Sequence, residues 1–156
     1  MLWYFAYGSN MNKKDLDKWR KKKKYSRIEL ISPIKATLPN YKLCFTHYSY
    51  SRKSGVADIF YCDGKKVEGI LCQVSENDLR KIDIKEGAPD VYRRKIVNVV
   101  LDNGTTQCAI TYEVREKEGA FLPSRQYMNT VIEGAKAHHL SKNYISKLEK
   151  IKVKEC

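Results

Sequence analysis

Up to residue 114 the chain alternates extended apolar segments with turn-forming residues, and it becomes mainly helical only afterwards; this order restricts the fold more than any other feature. Residues 2–7 read as a buried strand, and residues 28–38 and 41–47 as extended pieces interrupted by Pro33 and by Pro39-Asn40. Residues 55–61 and 66–74 read as two strands flanking Cys62-Asp63-Gly64-Lys65, where the Asp-Gly step is a hairpin signal. Strands at 92–101 and 107–114 follow, joined by Asp102-Asn103-Gly104, with Cys108, Ile110, Tyr112 and Val114 alternating onto one face. There is no regular strand–helix–strand alternation, which argues against a parallel doubly wound sheet. The expectation is an α+β fold: an antiparallel-rich sheet or barrel with helices at its flanks.

The helices announce themselves by their starts. Asn12 is placed to cap a helix whose third position is Asp15, with Leu16 and Trp19 on one face, and Ser75 to cap a short helix over residues 75–82 with Asp78 three positions on. Between that helix and the strand at 92 lies the turn-rich Glu86-Gly87-Ala88-Pro89-Asp90. Near the end, Tyr127, Val131 and Ala135 form one apolar stripe, and Leu148 joins Tyr144, Ile145 and Ile151 on another. With no internal repeat and no linker, residues 1–156 read as one domain, long enough to bury roughly 70% of the surface of the unfolded chain.

Composition narrows the class. A hydrophobic fraction of 42% against 31% charged residues describes a globular protein with a wet surface and excludes a disordered chain. No apolar run reaches the roughly 18 residues of a membrane span, and Met1-Leu2-Trp3-Tyr4 lacks the basic start of a secretion signal, so a cytoplasmic protein with no membrane partner is expected. Cys44, Cys62, Cys72, Cys108 and Cys156 are odd in number and contain no C-x-x-C, which points to reduced thiols and to no metal site. The net charge of +12, most visible at Lys21-Lys22-Lys23-Lys24, suits either a phosphate backbone or a solvated helix end. No aromatic-interleaved RNA motif or zinc-finger spacing accompanies it, so a nucleic-acid partner is not expected. The oligomeric state stays open, a homodimer included.

Two places carry candidate chemistry. In Tyr4-Phe5-Ala6-Tyr7-Gly8-Ser9-Asn10-Met11 a strand runs straight into a small polar corner, where successive backbone N–H groups can converge on an anion and a helix start lies just behind. The same corner would also serve merely to end a strand, and it lacks the residues of a P-loop or dinucleotide site. The second place is Glu86, followed by Gly87, at the entrance to a strand, where a carboxylate can act as a general base or simply solubilise a surface. His47, His138 and His139 match no nucleophile, and Cys44 and His47 fall on opposite faces of one strand.

A resemblance joins the two. The YFAYGSN stretch resembles the signature of the γ-glutamylcyclotransferase family. Gly55-Val56-Ala57-Asp58-Ile59-Phe60 and Val67-Glu68-Gly69-Ile70-Leu71 are similar to the family's next strands, residues 79–92 to its helix and acidic loop, and Pro123-Ser124-Arg125-Gln126-Tyr127 with Gly134-Ala135-Lys136 and Leu140 to its closing helix. These motifs keep the family order over residues 3–151. Within the superfamily the γ-glutamylamine branch tends to read YGTLK and the glutathione-specific branch YGSL; Tyr7-Gly8-Ser9-Asn10 favours the branch acting on γ-glutamyl amino acids. The loop from 86 to 92 is a residue shorter than in the animal enzymes, and Met11 stands where Leu is usual.

The resemblance implies a mixed β-barrel with flanking helices and a cofactor-independent enzyme that closes a γ-glutamyl compound into 5-oxoproline and releases an amino acid; a γ-glutamylamine or another γ-glutamyl compound is the alternative substrate. It assigns Glu86 as general base and acid, Tyr7, Gly8, Ser9 and Asn10 as holders of the glutamyl end, and Tyr127 as a pocket tyrosine. Tyr92 either lines the pocket or packs at the strand start. Of Arg93 and Arg94, on alternate faces, at most one points inward. An α-ammonium with a pKa of about 8 gives up its proton to an ordinary Glu, at about 4.3, only uphill by roughly 5 kcal/mol. A working base at position 86 should therefore be partly desolvated.

Overall fold

The computed structural model describes residues 1–155; Cys156 lies outside them. Five strands, β1 (Leu2–Ala6), β2 (Ile31–Ser49), β3 (Ser54–Val74), β4 (Tyr92–Leu101) and β5 (Thr106–Val114), close into a barrel in the order β1-β3-β2-β4-β5. Neighbours are antiparallel except at the closing seam, where β1 meets β5 in parallel at Tyr4 and Ile110. That one parallel contact makes the barrel mixed. Helices α1 (Lys13–Lys22), α2 (Glu76–Glu86), α3 (Arg125–Ala137) and α4 (Lys142–Glu149) flank it, and a single 3-10 turn, Ser9–Met11, links β1 to α1.

The caps read from the sequence form as expected. Asn12 accepts the N–H of Asp15, and Ser75 that of Asp78, each at 3.0 Å; Ser124 and Ser141 do the same for α3 and α4. Each such bond satisfies an otherwise orphaned helix amide and contributes about 1 kcal/mol. The expected stripe of Tyr127, Val131 and Ala135 is buried, and so are Tyr144 and Leu148 of α4.

Two local expectations change. The pair 55–61 and 66–74 is not a hairpin: both halves lie in β3 and run antiparallel to β2, the first against residues 41–48 and the second against 31–38. Between Pro39↔Lys66 and Tyr41↔Tyr61, residues 62–65 stand opposite Asn40 alone. Asn40 and Gly64 both adopt left-handed backbone, at φ 64° and 81°, and the Gly64 N–H donates to Asn40 Oδ1 at 3.2 Å. The Asp-Gly signal is thus absorbed as a bulge in a strand that stays paired to β2 on either side of it. The real hairpin turn falls at residues 50–53, between Ser49 and Ser54, where no Gly or Pro marks it.

The second change is at α2, which runs four residues past 82 to end on Glu86. Gly87 then caps it with φ 67°, letting its own N–H reach Ile84 O and that of Ala88 reach Asp83 O. Glu86 accordingly occupies the last helical position, held by the helix rather than by a loop.

Candidate active site

A cavity of about 690 Å³ opens where the end of β1, the 3-10 turn, α1, the end of α2 and the start of α3 meet. Tyr7, Gly8, Ser9, Asn10, Glu86, Tyr92 and Tyr127, all named from the sequence, line it together. Residues 8 and 127 are far apart in the chain, yet a Cβ on Gly8 would sit 3.5 Å from the Tyr127 hydroxyl.

Tyr92 and Tyr127 both bond to the backbone of one residue, Ala57. The Tyr92 hydroxyl donates to Ala57 O at 2.5 Å, while the Ala57 N–H donates to the Tyr127 hydroxyl at 3.0 Å. Tyr127 therefore keeps its own hydrogen for a ligand, whereas that of Tyr92 is already used. Burial pushes the Tyr127 hydroxyl up to about 12 despite the Ala57 bond, so it stays a donor at any ordinary pH. Tyr7 resembles Tyr92: its hydroxyl donates to Tyr112 O at 2.6 Å, which ties the strand end to the barrel wall.

In the turn, side chains and backbone divide the work. Asn10 is buried, donating through Nδ2 to Tyr4 Oη at 2.9 Å and accepting at Oδ1 from Lys85 Nζ at 2.6 Å. Ser9 Oγ accepts from Arg52 at 3.2 Å and Lys85 at 3.4 Å. The backbone N–H groups of Gly8, Ser9 and Asn10 meet no acceptor among the described residues; the turn's internal bonds begin with the N–H of Met11. Three amides next to a cavity are a set of donors for an anionic or carbonyl oxygen.

Glu86 faces these groups. Its carboxylate has no hydrogen bond or ion pair among the described residues, although Lys85 and Arg52 both act on it electrostatically. Burial, the largest influence, raises its pKa, and Asp15 adds to the rise against Lys85 and Arg52. The desolvation asked of a base at this position is present.

Asp15, Arg52, Lys85 and His47 also line the cavity, and none was picked out for the site by sequence. Arg52, from the unmarked 50–53 turn, grips Asp15 through both nitrogens, at 3.0 and 2.7 Å, and lies over the Tyr127 ring at 5.3 Å. Burial pushes the Asp15 carboxyl up, but the Arg52 bonds and the Lys85 charge prevail and hold it below the usual range. His47 stands edge-on to Tyr92, 6.3 Å between rings, while Cys44 is absent from the lining, so no Cys–His pair forms there. Neither Arg93 nor Arg94 points in: they pair with Glu113 and Asp83.

Residues 66–148 match the model of the AIG2-like family. Human γ-glutamylcyclotransferase is 30% identical to the chain over 158 residues, spanning 95% of this chain and 77% of the human protein. The chain belongs to the AIG2-like, γ-glutamylcyclotransferase family. The mouse γ-glutamylcyclotransferase is 29% identical over 162 residues, 97% of this chain and 79% of that one. Among solved structures, a γ-glutamyl cyclotransferase superimposes with a TM-score of 0.85 at 25% identity, covering 99% of this chain and 90% of its own. The barrel is thus a γ-glutamylcyclotransferase fold. The AIG2-like match contains Glu86, Tyr92 and Tyr127 but stops short of the Tyr7–Asn10 corner, which the longer γ-glutamylcyclotransferase alignments span.

Proposed function

We propose that this chain is a single-domain γ-glutamylcyclotransferase that converts a γ-glutamyl amino acid into 5-oxoproline and the free amino acid. The observation that carries the reading is Glu86: a desolvated carboxylate with no protein partner among the described residues, in the same cavity as the spare hydrogen of Tyr127 and three unpaired amides. A half-buried carboxylate with no partner to offset its desolvation opposes folding, and such groups cluster at functional sites.

In this account the turn amides and the Tyr127 hydroxyl hold the glutamyl end, curling its chain so that the α-nitrogen meets the γ-carbonyl carbon. Glu86 removes a proton from the α-ammonium, the nitrogen adds to the carbonyl, and the resulting oxyanion is stabilised by the surrounding donors. As the bond to the leaving nitrogen breaks, Glu86 returns its proton there. The ring nitrogen, which still carries one proton too many after the attack, passes it by way of Glu86 to the departing amine, so the five-membered lactam and the leaving amino acid in its ammonium form result, with Glu86 back in its starting form. Its raised pKa brings base and ammonium closer, and so lowers the cost of the first transfer.

The test is to incubate the purified protein with γ-glutamyl-alanine and follow 5-oxoproline by mass spectrometry. Formation of 5-oxoproline with stoichiometric alanine is expected. Failure to form it from any of a panel of γ-glutamyl amino acids, γ-glutamylamines and glutathione would overturn the reading.

A further inference from the structure

The mouth of the cavity carries charge that the reaction above does not use. Lys14, Lys18 and Lys22 recur every four residues along α1, so they lie on one stripe of the helix, and all three line the cavity. Lys21, Lys23 and Lys24 do not, which separates Lys22 from the basic run it belongs to in the sequence.

The partners of these cations differ. Lys14 stands 3.8 Å from Glu133. Asp17, the residue before Lys18 in the chain, is held by Arg20 at 2.6 Å and Lys21 at 3.2 Å. Deeper in, Asp15 is occupied by Arg52, with Lys85 3.5 Å away. Lys18 and Lys22 are exposed and have no acidic partner among the described residues. Trp19 lies between them in the chain, lines the same cavity and is braced by Tyr25 with ring centres 5.6 Å apart, offering an apolar wall beside two free ammonium groups.

The glutamyl end, in the reading above, occupies the interior between the buried Asn10 and Glu86, so the part of the substrate that reaches the mouth is the leaving amino acid. We infer that Lys18 and Lys22 select γ-glutamyl substrates whose leaving residue carries two carboxylates, as in γ-glutamyl-glutamate and γ-glutamyl-aspartate. Two cations without partners match the main-chain and side-chain carboxylates of such a residue, and its methylenes suit the face of Trp19. A leaving alanine supplies one carboxylate and leaves a cation unanswered. Because both lysines are at the solvent edge, the selection acts through KM and weakens with salt.

This inference rests on the cyclotransferase reading, and one experiment separates them. kcat and KM are measured for γ-glutamyl-glutamate and γ-glutamyl-alanine at low salt and at about 0.5 M salt, using the wild type, a Lys18→Ser/Lys22→Ser variant and a Lys21→Ser/Lys23→Ser control of equal charge. Expected is a preference of about five- to tenfold for γ-glutamyl-glutamate in kcat/KM at low salt, residing in KM. It should fall towards parity in high salt and in the Lys18/Lys22 variant, and persist in the control. Equal kcat/KM for the two dipeptides in the wild type, a preference that survives the Lys18/Lys22 variant, or one lost equally in the control overturns the inference while leaving the cyclotransferase reading intact. Turnover of neither dipeptide nor any other γ-glutamyl compound overturns both.

Discussion

Lys85 Nζ lies 2.6 Å from Asn10 Oδ1, so the residue next to Glu86 is fastened to the corner that forms the other side of the cavity. The same ammonium reaches Ser9 Oγ at 3.4 Å and Asp15 at 3.5 Å, with 6% of its side chain exposed. One buried cation thereby sets the spacing between Glu86 and the turn.

Replacing it tests that role. Lys85→Met should lower kcat/KM by about tenfold or more through lost positioning. It should also move the acidic limb of the pH–rate profile to higher pH, because the lysine's charge holds the Glu86 pKa down and removing it leaves only Arg52 to oppose burial. A purely structural lysine would lower activity without moving the limb.

Stability should respond to Glu86 in the sense opposite to an ordinary salt-bridged acid. Its pKa is raised in the fold, so the carboxyl costs nothing below its unfolded value of about 4.3 and destabilises progressively as pH rises through the folded value. Glu86→Gln, which cannot ionise, should melt above the wild type at about pH 8, and the gap should close near about pH 4. Thermal melts of both proteins across that range check it.

Tyr127→Phe removes the acceptor of a buried amide along with a donor to the cavity. The Ala57 N–H would be left unsatisfied, a loss of about 1–3 kcal/mol in stability by denaturant titration. Activity should fall too, with KM raised. Tyr92→Phe instead leaves Ala57 O without its donor and removes no free hydrogen from the cavity, so its effect should be mainly on stability.

Gly134 explains why a helix residue outside the cavity belongs with the site. A Cβ there would stand 2.8–2.9 Å from the backbone of Met11 and Asn12, so α3 can press onto the turn only with glycine at this place. Gly134→Ala should cost about 1–3 kcal/mol through overpacking and displace the corner it supports. A lowered Tm together with a raised KM is the expected pair of results.

Those residues also show what was legible in the sequence. Capping at Asn12 and Ser75, the stripe on α3 and the strands read at 92–101 and 107–114, the second of which begins one residue earlier, depend on neighbours a few positions away, and local pattern reads such features well. The bulge at Gly64 did not follow from its Asp-Gly step, because whether a turn residue folds the chain back depends on the partner strand, here β2. Glu86 was recognisable through its glycine and family order, but its place at a helix end depends on the left-handed Gly87 cap. Arg52 and Lys85 left no local signal at all. Their importance comes from Asp15, Ser9 and Asn10, which tertiary contact brings to them across 37, 43 and 75 positions.

The central claim is that Glu86 transfers the proton that allows the ring to close. The most direct measurement is 5-oxoproline formation from γ-glutamyl-alanine by the wild type and by Glu86→Gln, with native secondary structure and a cooperative melt verified for both. Loss of at least about a hundredfold in kcat in the folded variant is the predicted result. A folded Glu86→Gln protein that makes 5-oxoproline at close to the wild-type rate would contradict it.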